Sequence, residues 1–316
     1  MASILTGLIL LIAALMAALV AWTRHLGRNV ETLVPQAGQL RPVPGGAIHH
    51  VDLGPRGAPA VVLIHGLSGQ LQHFTHGVAP LLEQEFRVIA LDRPGCGYST
   101  RDGDERAALP EQARMIWALL DELEVARPVL VGHSLGGAVA LAMALERPEQ
   151  AGALALISPL THPPTEEAGV FQGLAVRSAL MRRVIGHTIA VPAARRTAAK
   201  VLEEVFRPEP CPEDFLTRGG GALGLRPKGF IAASADYMAA NAGIAALQAR
   251  YADELTAPGG VLFGAEDAVL DPVQHGTPME GFGLSVETLP DRGHMLPITA
   301  PAPCADFIRR MAARAS

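Results

Sequence analysis

Short apolar runs alternate with helical segments along most of this 316-residue chain, and that alternation restricts the possible folds more than any other feature. The runs at 61–64, 87–91, 128–132, 153–157, 260–263 and 285–289 have the length and composition of buried strands. Predicted helices follow at 110–123, 135–145 and 304–313. Strand-helix alternation of this kind predicts an α/β fold, with a mostly parallel central sheet and helices on both faces.

One long interval, 159–257, breaks the alternation because no convincing strand occurs in it. Its pattern is mostly helical, and a structureless loop of that length would be unusual in a compact domain. We therefore expect a helical cap or lid inserted into the core. The core itself is assigned to residues 48–158 and 258–316.

The amino terminus contains an uncharged apolar stretch at residues 4–22. A helix of that length spans the hydrocarbon thickness of a bilayer, so we predict a retained transmembrane anchor at 1–28 and a tether at 29–47. A cleaved signal and a buried soluble helix remain alternatives, although no Lys or Arg precedes the stretch. Trp22, Arg24 and Arg28 follow it, which favours a single-pass anchor with a cytoplasmic catalytic portion.

Composition excludes several other classes of protein. The formal charge of −5 gives no reason to expect a nucleic-acid partner. Cys96, Cys211 and Cys304 have neither disulfide-framework nor zinc spacing. No phosphate-binding glycine loop and no HExxH motif occurs, so neither a metal nor an organic cofactor is predicted.

The pentapeptide Gly132-His133-Ser134-Leu135-Gly136 lies between a predicted strand and a predicted helix. A sharp turn there would present the Ser134 hydroxyl at the carboxyl end of the sheet, where α/β folds bind ligands. A plain glycine turn is the alternative interpretation. The strand-helix context favours Ser134 as a catalytic nucleophile.

A serine nucleophile needs a base, and the base needs an acid to orient it. His294 lies in the loop after the last predicted strand, which matches the chain order Ser, acid, His of this fold type. Asp267 is the favoured acid, with Glu266 and Asp271 as open alternatives. The predicted oxyanion donors are the backbone N–H groups of Leu135 and Leu67.

Five motifs together resemble the α/β-hydrolase superfamily, and most closely its bacterial esterase and lipase-like branch. They are HGLSG at 65–69, DRPGCGYS at 92–99, GHSLGG at 132–137, GAED at 264–267 and GH at 293–294. The similarity covers residues 48–313 apart from the cap. It implies a Ser134–Asp267–His294 triad with Leu67 and Leu135 as oxyanion donors. Dehalogenases and epoxide hydrolases of this scaffold have Asp in place of the nucleophilic Ser134.

The resemblance implies a serine hydrolase that cleaves carboxylic esters, with a small-molecule or lipid-like substrate. Thioester or carbon–carbon bond hydrolysis, and a catalytically silent binding role, are the alternatives. Six cations and no acid lie within 168–202, namely Arg177, Arg182, Arg183, Arg195, Arg196 and Lys200. This segment is a candidate for contact with anionic headgroups near the anchor, although such charge runs are more often solvated faces.

Overall fold

A nine-stranded sheet forms the centre of the computed structural model, which describes residues 2–164 and 169–315. The strands are β1 (Gln39–Val43), β2 (Gly46–Leu53), β3 (Ala60–Ile64), β4 (Arg87–Leu91), β5 (Thr100–Arg101), β6 (Val129–His133), β7 (Ala153–Ile157), β8 (Gly259–Gly264) and β9 (Ser285–Leu289). Their order in the sheet is β1-β2-β4-β3-β6-β7-β8-β9, and β5 pairs with β2.

All six predicted strands are present, within one or two residues of their expected bounds, and they pair in parallel. Three further strands, β1, β2 and β5, form an antiparallel edge. Their sequences carry no continuous apolar run, because β1 is mostly exposed and β2 contains His49 and His50. The sheet thus begins inside the segment 29–47 that the sequence analysis assigns to a tether.

Helices cover both faces of the sheet. The helices are α1 (Ala2–Gly27), α2 (Val30–Leu33), α3 (Gln72–Thr75), α4 (Val78–Leu82), α5 (Leu109–Glu122), α6 (Leu135–Glu146), α7 (Ala179–Ile185), α8 (Val191–Phe206), α9 (Pro227–Gln248), α10 (Tyr251–Glu254), α11 (Pro272–His275), α12 (Leu296–Thr299) and α13 (Pro301–Ala312). One core packs α5 and α6 against the sheet, and a second core packs α4 and α13 against its other face. The α/β prediction is confirmed.

The cap lies between β7 and β8 and is helical in its described residues, as predicted. A π-helical segment, Gly186–Ala190, joins α7 to α8. Helix α9 is apolar and long enough to cross a membrane, but half of its apolar window is buried against the protein. Its burial identifies α9 as a packed cap helix.

Among the residues that the structure describes, helix α1 is the other segment with the length and hydropathy of a membrane span, and none of its apolar window is buried. Its carboxyl end contacts the cap. The hydroxyl of Thr23 donates to the carbonyl of Thr188 in the π-helical segment, and Arg195 donates to the carbonyl of Leu26 at 2.6 Å. The carboxyl end of α1 is therefore held against the cap, whereas its apolar stretch is not.

Candidate active site

Ser134 occupies a strained turn between β6 and α6. Its φ of 54° and ψ of −122° are unfavourable for a residue with a side chain. The turn is tight enough that a Cβ at Gly132 would collide with the backbone of Gly136. A Cβ at Gly136 would in turn collide with the carbonyl of Ile64. The small residues of the pentapeptide thus permit the conformation that presents the Ser134 hydroxyl at the carboxyl end of β6.

His294 and Asp267 form a direct side-chain hydrogen bond in the loops after β9 and β8. Nδ1 of His294 lies 2.8 Å from Oδ2 of Asp267, and both side chains are buried. The other carboxylate oxygen of Asp267 accepts from the backbone N–H groups of Val269 and Leu270, each at 2.9 Å. With Nδ1–H donating to the carboxylate, Nε2 of His294 retains its lone pair and can accept a proton.

The two alternative acids occupy different places. Glu266 and Asp271 are both exposed. The carboxylate of Asp271 accepts from the backbone N–H of Val273 at 2.9 Å and so caps α11. Asp267 is therefore the one of the three that contacts the His294 ring.

His133 supports the loop that carries His294, a role the sequence analysis did not anticipate. Its Nε2–H donates to the carbonyl of His294 at 3.0 Å, and the two rings lie 4.9 Å apart. Burial, reinforced by repulsion from His294, holds the pKa of His133 well below its usual value. His133 is therefore a neutral donor, and its position inside the pentapeptide gave no signal of this contact.

Leu67 and Leu135, the two predicted oxyanion donors, both line a cavity with Ser134. Leu135 is the first residue of α6, where backbone N–H groups have no partner within the helix. Leu67 lies in the loop after β3, two residues beyond the buried His65. The ring of His65 donates through Nδ1 to the carbonyl of Gly66 at 2.8 Å and accepts from the backbone N–H of Arg93 at 2.9 Å. These bonds fix the loop in which Leu67 lies.

Two cavities meet at Ser134. Both are lined by Ser134, Leu67 and Phe171, one with a volume of about 70 Å³ and the other about 440 Å³. The larger is also lined by His294. Its remaining walls are mostly aliphatic and aromatic cap residues, including Ile185, Val191, Val201, Leu202, Phe206 and Phe215. The arrangement suits a largely apolar substrate whose reactive group lies beside Ser134 and His294.

The six cations of 168–202 do not share one environment. Arg182 is buried and forms an ion pair with Asp104, so it cannot contact a headgroup. The other five are exposed, and Arg183 reaches Asp104 at 3.3 Å.

Nothing in 2–164 or 169–315 groups three or more His, Cys, Asp or Glu side chains as a metal would need.

Comparison with known proteins identifies the fold family. A family model for the alpha/beta hydrolase fold matches residues 59–301. The chain is 31% identical, over 84% of its length, to the dihydrolipoyllysine-residue acetyltransferase component of an acetoin cleaving system from Pseudomonas putida, of which it covers 66%. It is 37% identical, over 35% of its length, to a 2-hydroxy-6-oxononadienedioate/2-hydroxy-6-oxononatrienedioate hydrolase from Escherichia coli K12, of which it covers 39%. The chain thus spans less than two thirds of each of these relatives.

Among solved structures, a membrane phospholipase A described as a bacterial virulence factor superposes with a TM-score of 0.63 at 25% identity. The overlap includes 100% of this chain and 99% of that protein. The family match spans most of the sheet, the cap and the loops that carry Ser134, Asp267 and His294. The chain belongs to the α/β-hydrolase fold family, which contains hydrolytic enzymes.

Proposed function

We propose that this protein is a serine hydrolase that cleaves carboxylic esters through an acyl-enzyme on Ser134. The observation that carries the proposal is the shared cavity. Ser134, on its strained turn, and His294, bonded to Asp267, line the same apolar space. This shared lining supports Ser134 as the nucleophile, His294 as the base and Asp267 as the orienting acid of one reaction site.

The proposed reaction uses these groups in a fixed order. Nε2 of His294 takes the hydroxyl proton as the Ser134 oxygen attacks the ester carbonyl carbon. The carbonyl oxygen becomes an oxyanion, which the N–H groups of Leu67 and Leu135 stabilise. The carbon–oxygen bond to the alcohol then breaks, and His294 returns the proton to the leaving alkoxide. Water repeats the sequence, giving the acid and free Ser134, while Asp267 stabilises the imidazolium.

We also propose that α1 anchors the protein in a membrane, with the catalytic portion on the cytoplasmic side. The length and exposure of α1 support the anchor, and Arg24 and Arg28 after the apolar stretch support the orientation. The similarity to a membrane phospholipase A over the whole chain supports an amphiphilic ester as substrate.

A second reaction, carbon–carbon bond hydrolysis, has a specific observation in its favour. The E. coli relative, 37% identical over 114 residues, is named as a hydrolase of 2-hydroxy-6-oxo dienedioates. The same nucleophile and base would serve that chemistry. Ester hydrolysis remains the leading proposal, because the large cavity is mostly apolar whereas those substrates carry two carboxylates.

The test is hydrolysis of p-nitrophenyl esters of graded chain length by the full chain in detergent micelles. Ser134→Ala should remove the activity, and Ser158→Ala, at the end of the neighbouring strand β7, should retain it. Labelling by a fluorophosphonate should likewise require Ser134. Activity that survives Ser134→Ala would refute the assignment of the nucleophile. Absence of both activity and labelling in the unsubstituted protein would favour the silent binding role.

A further inference from the structure

Arg93 lies completely buried between the loop after β3 and the cap helix α9. Its Nε donates to the carbonyl of His65 at 2.9 Å, and its Nη2 donates to the carbonyl of Gly66 at 3.0 Å. Its Nη1 contacts Asp236 of α9 and Gln112 of α5, each at 2.7 Å. One planar guanidinium therefore joins the loop that precedes Leu67 to a helix of the cap.

The contact with Gly66 has a geometric consequence for Leu67. In a trans peptide the carbonyl oxygen and the N–H of the next residue point in opposite directions. Arg93 and the ring of His65 both hold the Gly66 carbonyl, so the Leu67 N–H is directed away from Arg93. Leu67 lines both cavities beside Ser134. Arg93 thus fixes the peptide plane that carries one proposed oxyanion donor.

The cap supplies the counter-charge. Asp236 is completely buried, and its two oxygens contact Arg93 and Arg101. Burial raises the pKa of Asp236, but the two guanidinium groups outweigh that effect and leave the pKa below its usual value. Asp236 is therefore ionised, and in the described part of the chain it is the one carboxylate that pairs with Arg93. Displacement of α9 would leave Arg93 buried without a counter-charge, which is strongly unfavourable.

We propose that Arg93 is a positioning residue that orients the Leu67 N–H toward the oxyanion, and that Asp236 makes this orientation depend on a docked cap. The inference rests on the proposed serine-hydrolase function. It extends that function by linking the cap, which forms the substrate cavity, to stabilisation of the transition state. A closed cap would then complete the oxyanion site at the same time as it encloses the substrate.

Arg101 provides a matched control within the same cluster. It pairs with the second oxygen of Asp236 and donates to the carbonyl of Pro94 at 3.2 Å. It has no hydrogen bond to His65 or Gly66 among the described residues. Replacing Arg101 therefore disturbs the same buried carboxylate without releasing the loop that precedes Leu67.

The experiment compares Arg93→Met, Arg93→Lys, Asp236→Asn and Arg101→Met in the full chain in detergent micelles. Loss of one oxyanion donor lowers kcat by about 10²–10³-fold, so we expect about 10² for Arg93→Met with KM within about threefold. Arg93→Lys and Asp236→Asn should be intermediate, each with a lower kcat than the unsubstituted protein. A trifluoromethyl ketone, which forms a tetrahedral adduct with serine, should bind more weakly by a similar factor. Arg101→Met should change kcat and ketone binding by no more than about threefold.

Equal losses of kcat in Arg93→Met and Arg101→Met would overturn the inference, because the loss would then not depend on the contacts of Arg93 with His65 and Gly66. Unchanged ketone affinity in the Arg93 variants would also overturn it. Thermal melting reports which variants fold. If Arg93→Met does not fold, the same criteria are judged on Arg93→Lys. An unsubstituted protein that neither hydrolyses esters nor binds the ketone would refute the proposed function itself, which is a separate result.

Discussion

The carboxylate of Glu209 accepts a hydrogen bond from the backbone N–H of Gly293 at 2.7 Å. Gly293 immediately precedes His294, whereas Glu209 belongs to the cap and follows α8. Arg292, from the same loop as Gly293, contacts the Glu209 carboxylate at 3.3 Å. A cap residue therefore holds the segment that carries the proposed base.

Replacing Glu209 should weaken catalysis by loosening that segment. Hydrogen bonds to charged groups contribute roughly 1.5–3 kcal/mol, so we expect Glu209→Ala to lower kcat by about tenfold. Glu213→Ala, an exposed neighbour in the cap, is the matched control and should have little effect. Steady-state ester hydrolysis measures both. An unchanged kcat in Glu209→Ala would show that the loop is held well enough by its other contacts, such as that of His133.

The identity of the acid is tested by three amide substitutions. Asp267→Asn should lower kcat by about 10³-fold or more, because the amide can no longer stabilise the imidazolium or enforce the correct tautomer of His294. Glu266→Gln should have little effect. Asp271→Asn should leave kcat unchanged and, since Asp271 caps α11, alter only stability, by at most about 1 kcal/mol. A large loss of kcat in either of the last two variants would contradict the assignment of Asp267.

The exposed cations of the cap predict a dependence on lipid charge. Each cation near an anionic surface contributes about 1 kcal/mol, and Arg195 already contacts the end of α1. We expect the full chain to be more active in liposomes that contain anionic lipid than in neutral ones, and the difference to shrink with salt. The double variant Arg196→Glu/Lys200→Glu should lose this preference. The same activity in both kinds of liposome would show that these cations form an ordinary solvated face.

We predict that the protein loses stability in mild acid because of His73, a buried residue of α3. Burial lowers the pKa of His73 to about 4, whereas the unfolded chain binds that proton near pH 6.5. As the pH falls from about 6.5 to 4, the unfolded state binds more protons, so the free energy of unfolding should decrease by up to about 3 kcal/mol. Below pH 4 the contribution of His73 no longer changes.

Denaturant unfolding of His73→Phe across this range measures the effect. The variant should show a smaller decrease between pH 6.5 and 4 than the unsubstituted protein. His187→Phe, at an exposed position in the π-helical segment, is the control and should keep the original decrease. Parallel curves for the unsubstituted protein and His73→Phe would contradict the prediction.

Local sequence signals determined the parallel part of the sheet and the positions of Ser134 and His294. Buried parallel strands have apolar runs that can be recognised in the sequence without knowledge of the neighbouring strands. A sharp turn between a strand and a helix requires small residues at fixed positions, so it too can be recognised locally. Strand β2, which pairs with β1 and β4, has no such apolar run, and the sequence did not predict it. It contains His49, whose burial depends on a hydrogen bond to Asp92 at 2.7 Å, a residue far along the chain.

Tertiary structure decided which distant groups meet. The sequence offered Glu266, Asp267 and Asp271 as acids, and only the packing of two loops brings Asp267 to His294. The sequence likewise gave no indication that Arg93 would contact Asp236, 143 positions away. Nor did it indicate that Arg182, one of the six cations in 168–202, would be buried. Strand periodicity and turn chemistry are properties of neighbouring residues, whereas hydrogen bonds and ion pairs between loops depend on how the whole chain packs.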